Sequence, residues 1–233
     1  MAPSPQKNLL LARLAPKDFD ALRPHLEAID LPLRFVLERP QRKIENVFFP
    51  ESGFASVVAV QANETRIEVG LIGCEGMSGI AVVLGNHQSP NETYIQMHGA
   101  GQRISVDALR KATAKSAGMH GIMLKYVQAF LTQTAHTAIS NARSHIDQRL
   151  ARWILMAHDR GSGPTIALTH EFLSLMLGVR RAGVTQALNA LVKQGLIKAS
   201  RGQITVMDRK GLEKSAGDSY GVPEAEYRRL LGK

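Results

Sequence analysis

The sequence predicts an α+β chain of two unlike halves joined by a long helix. Three observations predict it. Short β-rich runs broken by glycine fill the stretch from Leu31 to about Val106, a wide apolar helical stripe runs from Met119 to Leu131, and the carboxy-terminal third reads as two short helices followed by two strands.

Taken in order, residues 16–29 carry Pro16 at a helix start, early acids, and Phe19, Leu22, Leu26 and Ile29 at helical spacing, which predicts a short amphipathic helix. The runs VFFP, FASVVAV, TRIEVGLIG, TYIQM and QRISV then predict a compact all-β unit. Its best hairpin turn is Gln61–Glu64, and its tight corners are the glycines from Gly70 to Gly101, as in a jelly roll. Met119, Ile122, Met123, Tyr126, Val127, Phe130 and Leu131 recur every three or four residues and open a long helix. Two readings of this stripe stand side by side: packing onto the β unit, or pairing with the same helix of a second copy. Ser144 followed by Asp147 predicts a cap that restarts the chain as a new helix with Ile146, Leu150, Trp153 and Ile154 inward. The expected divisions are 1–118, 119–143 and 144–233.

Bulk properties narrow the function. With 44% hydrophobic and 21% charged residues the chain has a globular composition, which excludes a disordered one. The net charge of +9, from 29 Lys and Arg against 20 Asp and Glu, favours a polyanionic partner. The single cysteine, Cys74, rules out disulfides, a four-thiolate zinc site or a cysteine-held iron–sulfur cluster within one chain, and a cytoplasmic setting is expected. The apolar run before Arg13 is too short for a signal-peptide core, and polar residues interrupt Tyr126–Ala142 too often for a membrane span.

The segment after the turn at 161–164 carries the sharpest pattern. Thr169 suits a helix N-cap with Glu171 near the positive end, Leu173 and Leu177 face inward, Ser174 is small where two helices cross, and Gly178 permits the left-handed backbone of a tight turn. A second helix from about Arg181 to Gln194 then presents its first turn outward. Strands 196–199 and 203–206 flank Ser200-Arg201-Gly202 as a wing. From 161 to 210 there are seven Lys or Arg (180, 181, 193, 198, 201, 209, 210) against Glu171 and Asp208. Spacing, turn glycine, wing and local charge together predict a winged helix-turn-helix that reads duplex DNA with Thr169, Arg180, Arg181, Ala182, Thr185, Gln186 and Arg201.

This segment resembles the DNA-binding domain of the Crp/Fnr regulators, and the order of elements extends the resemblance to the whole chain. Residues 31–106 are similar to that family's β-roll effector domain and 119–143 to its dimerisation helix. The resemblance implies a homodimeric transcription regulator on a near-palindromic operator, with RNA polymerase as a further partner. By position Arg181 matches the family's guanine-reading arginine, whereas Ala182 stands where a glutamate commonly reads cytosine.

Cyclic-AMP-binding members of that family use a Gly-Glu pair and, some ten residues on, an Arg-Ser or Arg-Thr. Here Gly79 is followed by Ile80, and no Lys or Arg occurs from Ile67 to Gln102, so cyclic AMP is disfavoured and the effector is left unassigned. No cofactor, metal site or catalytic residue is assigned. A cupin-like metal-dependent enzyme is the rival class, but His87 and His98 are isolated and no nucleophile elbow or phosphate loop is present. An RNA-binding or protein-binding winged helix is a third reading, because that fold hosts several functions.

Overall fold

The structure, a computed structural model, describes residues 6–61, 65–161 and 163–232. A single 3-10 turn, Leu11–Arg13, precedes helix α1 (Pro16–Leu22). Strands β1 (Glu27–Leu31), β2 (Val36–Glu38), β3 (Asn46–Pro50), β4 (Phe54–Val60) and β5 (Arg66–Ile72) follow, then the one-turn helix α2 (Ile80–Val83) and strands β6 (Glu92–Met97) and β7 (Gly99–Ser105). They form two antiparallel sheets, ordered β1-β7-β3 and β2-β6-β4-β5. Leu31, Val47, Phe49, Ile95 and Ile104 fill the space between them.

The helix expected over 16–29 stops at Leu22. Pro24 cannot donate a backbone hydrogen bond and disfavours a helical residue before it, so the chain closes with a 3-10 turn and Leu26 and Ile29 lie outside the helix, Ile29 in β1. Three of the four residues of the expected turn 61–64 lie outside the described residues. The strands on either side of it pair with Val60 opposite Arg66, and the Gln61 amide donates to the Thr65 carbonyl at 2.9 Å. Helix α3 (Val106–Lys115), which the sequence reading left undivided from the β unit, is capped by Ser105. Cys74, the single cysteine, is partly buried.

Helix α4 (Ala117–Arg143) is 27 residues long, or about 40 Å at 1.5 Å per residue. Of its sequence stripe, Met119, Met123, Tyr126, Val127 and Phe130 are buried within the chain, mostly against the β-roll core. Intramolecular packing therefore takes most of that stripe and leaves Leu131 exposed. Ser144 is the C-cap of α4, and α5 (Ile146–Arg160) starts one residue later than expected: His145 is its N-cap, with the His145 amide donating to the Gln148 carboxamide at 3.0 Å.

The remaining chain is β8 (Thr165–Ala167), α6 (His170–Leu177), α7 (Arg181–Lys193), β9 (Ile197–Ser200), β10 (Gln203–Val206), α8 (Arg209–Ala216) and α9 (Val222–Leu231). Its core joins α5, α6, α7 and α8 and also takes in Phe54 and Leu71 from β4 and β5, so the β-roll and the carboxy-terminal unit share one apolar cluster. Helix α9 folds back to pack along α4, with Leu231 entering the β-roll core beside Leu10 and Leu11. Among the described residues, no helix is long and apolar enough to cross a membrane.

At the shared cluster sits a buried carboxyl. Glu68 of β5 accepts from the Trp153 indole at 2.6 Å and from the Ser56 hydroxyl at 2.6 Å. Burial pushes its pKa from 4.5 up to about 7, against the opposing pull of those hydrogen bonds and of Arg152 and Arg160. The folded protein thus holds this proton more tightly than the unfolded chain does. The stabilisation is complete below 4.5 and is lost as pH rises through about 7. The shift corresponds to on the order of 3 kcal/mol. Glu68→Gln keeps an acceptor for the indole and removes the proton. Urea denaturation between about pH 5 and about pH 8 is expected to show wild-type stability falling with pH relative to Glu68→Gln. Superimposable pH profiles would contradict this account.

Candidate nucleic-acid interface

The helix pair forms where the sequence places it. The Thr169 hydroxyl accepts from the Phe172 amide at 3.2 Å and caps α6, whose buried Leu173, Met176 and Leu177 face the core. Gly178 terminates α6 at φ 61°, a left-handed conformation costly for any residue with a Cβ. The reversal sets Arg180 at the N-cap of α7 and Arg181 at its first helical position.

Val184, Ala187, Leu188 and Leu191 bury the inner face of α7. Arg181, Ala182, Thr185, Gln186 and Asn189 are exposed on the other side. Positions 182, 185, 186 and 189 repeat at i, i+3, i+4 and i+7, so they share one outward stripe. Asn189 was not among the residues singled out in the sequence. Carrying the helical repeat one turn beyond Gln186 would have found it.

Strands β9 and β10 pair with Gln203 opposite Ser200, and Gly202 turns the wing at φ 74° with Arg201 exposed at its tip. A third strand, β8, joins the other edge of β10, with Ile166 opposite Ile204. Its three residues are too few to show a period. Thr169 and the wing residues Ser200, Arg201 and Gly202 line a shallow concavity. Thr169, Arg201 and the start of α7 thus all present exposed groups.

The cations counted in this segment are not equivalent. Arg209 is tied into the fold, bonded to Asp159 at 2.8 Å, Glu213 at 2.9 Å, the Tyr220 hydroxyl at 2.7 Å and His158 Nδ1 at 2.9 Å. Arg181 instead makes one exposed ion pair, 3.4 Å to Glu171, of a kind worth ~0–1 kcal/mol and readily exchanged for a stronger acceptor.

The β-roll cassette is arranged differently from an anion site. Gly79, at φ 73°, caps the one-turn α2, and its amide donates to the Glu38 carboxylate at 2.8 Å. Burial raises the pKa of Glu38, while the Gly79 and Thr93 hydrogen bonds act in the other direction. Glu92 precedes Thr93 and pairs with Arg66. The backbone donor at this helix end is therefore already used by a carboxylate of the protein itself. Among the described residues, no cluster of three or more His, Cys, Asp or Glu is placed to hold a metal.

A β-roll joined through a long helix to a winged helix-turn-helix defines the architectural class of this chain. Residues 148–215 match the Crp-like helix-turn-helix domain, and the chain as a whole is similar in fold to several solved structures. A Crp/Fnr-family transcriptional regulator from Eubacterium rectale superposes with a TM-score of 0.69 at 17% identity, over 89% of this chain and 97% of the other. FixK2 of Bradyrhizobium japonicum gives 0.67 at 14% identity, over 82% and 98%. The c-di-GMP-responsive global regulator CLP of Xanthomonas campestris gives 0.65 at 16%, over 82% and 99%. These likenesses are of fold. No curated protein matches the sequence.

Proposed function

We propose that this chain is a non-enzymatic, sequence-specific transcription regulator that binds a near-palindromic operator in duplex DNA as a homodimer. The observation that carries the reading is the outward stripe of α7, led by Arg181 and flanked by the wing arginine. A cytoplasmic location and contact with RNA polymerase belong to the same reading, which the names of the fold relatives support.

Arg181 is the base-reading residue in this proposal: at the first turn of an exposed helix its planar fork suits guanine O6 and N7. Arg201 on the wing serves the phosphate backbone. Arg181→Ala is expected to cost about 1–3 kcal/mol per half-site and to relax preference at one base position, as read by selection on randomised duplexes. Arg201→Ala should weaken all sequences alike and lower the salt slope by about one counterion. An Arg181→Ala protein with unchanged base preference would refute the assignment, and tighter binding to RNA in competition would refute the duplex reading.

The dimer seam in this proposal shares Leu131 alone with the stripe expected from the sequence. Leu124, Gln128, Leu131, Ala135, Ala138 and Ala142 are exposed on α4 at alternating intervals of four and three, the repeat of a two-helix seam. Leu131 is 53% exposed, a cost that a twofold partner removes. Analytical ultracentrifugation should find the wild type dimeric and Leu131→Glu monomeric with an intact far-UV spectrum. A dimer of unchanged dissociation constant in Leu131→Glu would exclude this seam.

Control by cyclic AMP is not part of the reading. With Glu38 on the Gly79 amide and no cation from Ile67 to Gln102, a cyclic phosphate would meet carboxylates instead of donors. Calorimetry with cyclic AMP is expected to give no saturable heat, and operator affinity should be the same with and without it. Micromolar binding would overturn this part of the proposal alone.

A further inference from the structure

Beyond Arg181, the outward face of α7 carries no charge. From Ala182 to Val192 there is neither an acid nor a base, and the exposed residues of the stripe are Ala182, Thr185, Gln186 and Asn189. Val184, Ala187 and Leu188 lie between them on the buried side, so the helix cannot rotate to offer a different set without exposing its own core. The charges nearest in sequence, Arg180 and Lys193, stand at the two ends of the helix.

What each position can exchange with a base edge differs. The Thr185 hydroxyl donates to the Arg181 carbonyl at 3.1 Å, so its proton is spent within the helix and the position keeps an acceptor and a methyl group. Ala182 offers a methyl alone. Gln186 and Asn189 are the opposite case, since among the described residues no hydrogen bond or ion pair engages either carboxamide. Each therefore presents an N–H donor and a carbonyl acceptor side by side. In the major groove only adenine shows the complement of that pair, the N7 acceptor next to the N6 donor. Guanine shows two acceptors, cytosine a donor, and thymine an acceptor beside its methyl group.

We propose that Gln186 and Asn189 are specificity-determining residues, each reading one adenine in every half-site, so that the half-site joins the guanine of Arg181 to two neighbouring A·T pairs. The inference rests on the reading of α7 as a helix in the major groove. Three residues of helix separate the two carboxamides by about 4.5 Å along its axis, against ~3.4 Å per base pair, so they address adjacent pairs. The rest of the stripe agrees with this content. The methyl groups of Ala182 and Thr185 suit contact with a thymine methyl. With no carboxylate on the stripe, nothing there accepts from cytosine N4, and with no second cation guanine is left to Arg181.

The test uses the full chain and duplexes selected from a randomised pool. The wild type should enrich adenine at two adjacent positions of each half-site, with Gln186→Ala flattening the preference at one of them and Asn189→Ala at the other. On the selected duplex, 7-deazaadenine in place of one such adenine removes the N7 acceptor and keeps the base pair. Affinity should then fall about tenfold for the wild type, and no further in the variant that has lost the matching carboxamide. Gln186→Glu keeps the size of the side chain but can only accept, and should move the preference at its position from adenine to cytosine. All three substitutions fall on exposed positions, so folding does not limit the comparison. Sequence-specific binding in which neither alanine variant alters an adenine position, insensitivity to 7-deazaadenine, or an unchanged adenine preference in Gln186→Glu would each overturn this proposal and leave the operator reading standing. A wild type without any sequence preference on duplex DNA would overturn both.

Discussion

The arrangement of this molecule depends on what Trp153 does in the middle of α5. Its ring meets Phe54 of β4 edge-on at 6.2 Å and Phe172 of α6 edge-on at 5.6 Å, and its indole N–H ends on the buried Glu68 of β5. One side chain thus touches the β-roll sheet and the helix-turn-helix at once. Aromatic pairs of this geometry add ~0.5–1.5 kcal/mol each beyond the area they bury, and the Glu68 bond fixes which way the ring points. The cluster would lose Phe54 and Leu71 if the carboxy-terminal unit moved away from the sheet. The direction in which α7 presents its stripe is therefore set by packing some distance from the stripe itself.

A second junction works by polar chemistry. Gln133 of α4 both donates to and accepts from the backbone of Leu71, Arg152 of α5 reaches the Ser219 carbonyl and the Thr137 hydroxyl, and Arg160 pairs with Glu75. Buried groups of this kind contribute little net stability once desolvation is counted, but they tolerate few alternative geometries, because any displacement strands a polar atom. The apolar cluster around Trp153 holds the two parts together. The polar set selects one relative position for them.

How much of this was legible in the sequence follows from the range of the interactions involved. The helix-turn-helix could be read because its determinants are local: Thr169 caps a helix that begins at the next residue, and Gly178 turns it eight residues after that. The β runs were legible for the same reason, apart from β1, hidden behind an apparently continuous helical spacing that Pro24 in fact breaks, and β2 and β8, which are only three residues long. Two faces of α4 were harder to separate. Periodicity showed that the helix has an apolar stripe, but the strongest one, through Met119, Met123 and Tyr126, faces its own β-roll, whereas Leu124 and Leu131 lie on another side. The return of α9 onto α4 had no local sign, since its partners lie about a hundred residues earlier in the chain. Net charge misled in one detail, because Arg209 counts as a cation in the sequence but is spent on Asp159 and Glu213 in the fold.

These two junctions also bear on how a signal could travel through the molecule. The Gly79 amide at the cassette is closed by Glu38, a carboxylate anchored on β2, and large side chains fill the roll behind it. A device that alters the pose of α7 must change the relative energy of two positions of the carboxy-terminal unit against the sheet. The groups whose energy differs between such positions are those that cross the boundary: Trp153 with Glu68, Arg160 with Glu75, and Tyr227 with the Glu75 carbonyl. Among these, Glu68 responds to proton concentration, since burial raises its pKa to about 7. Glu68 and the Arg160–Glu75 pair lie on the boundary, and the cassette helix α2 packs on α4. Coupling to α7 runs through the apolar cluster that α5 and α7 share with Phe54 and Leu71 of the sheet.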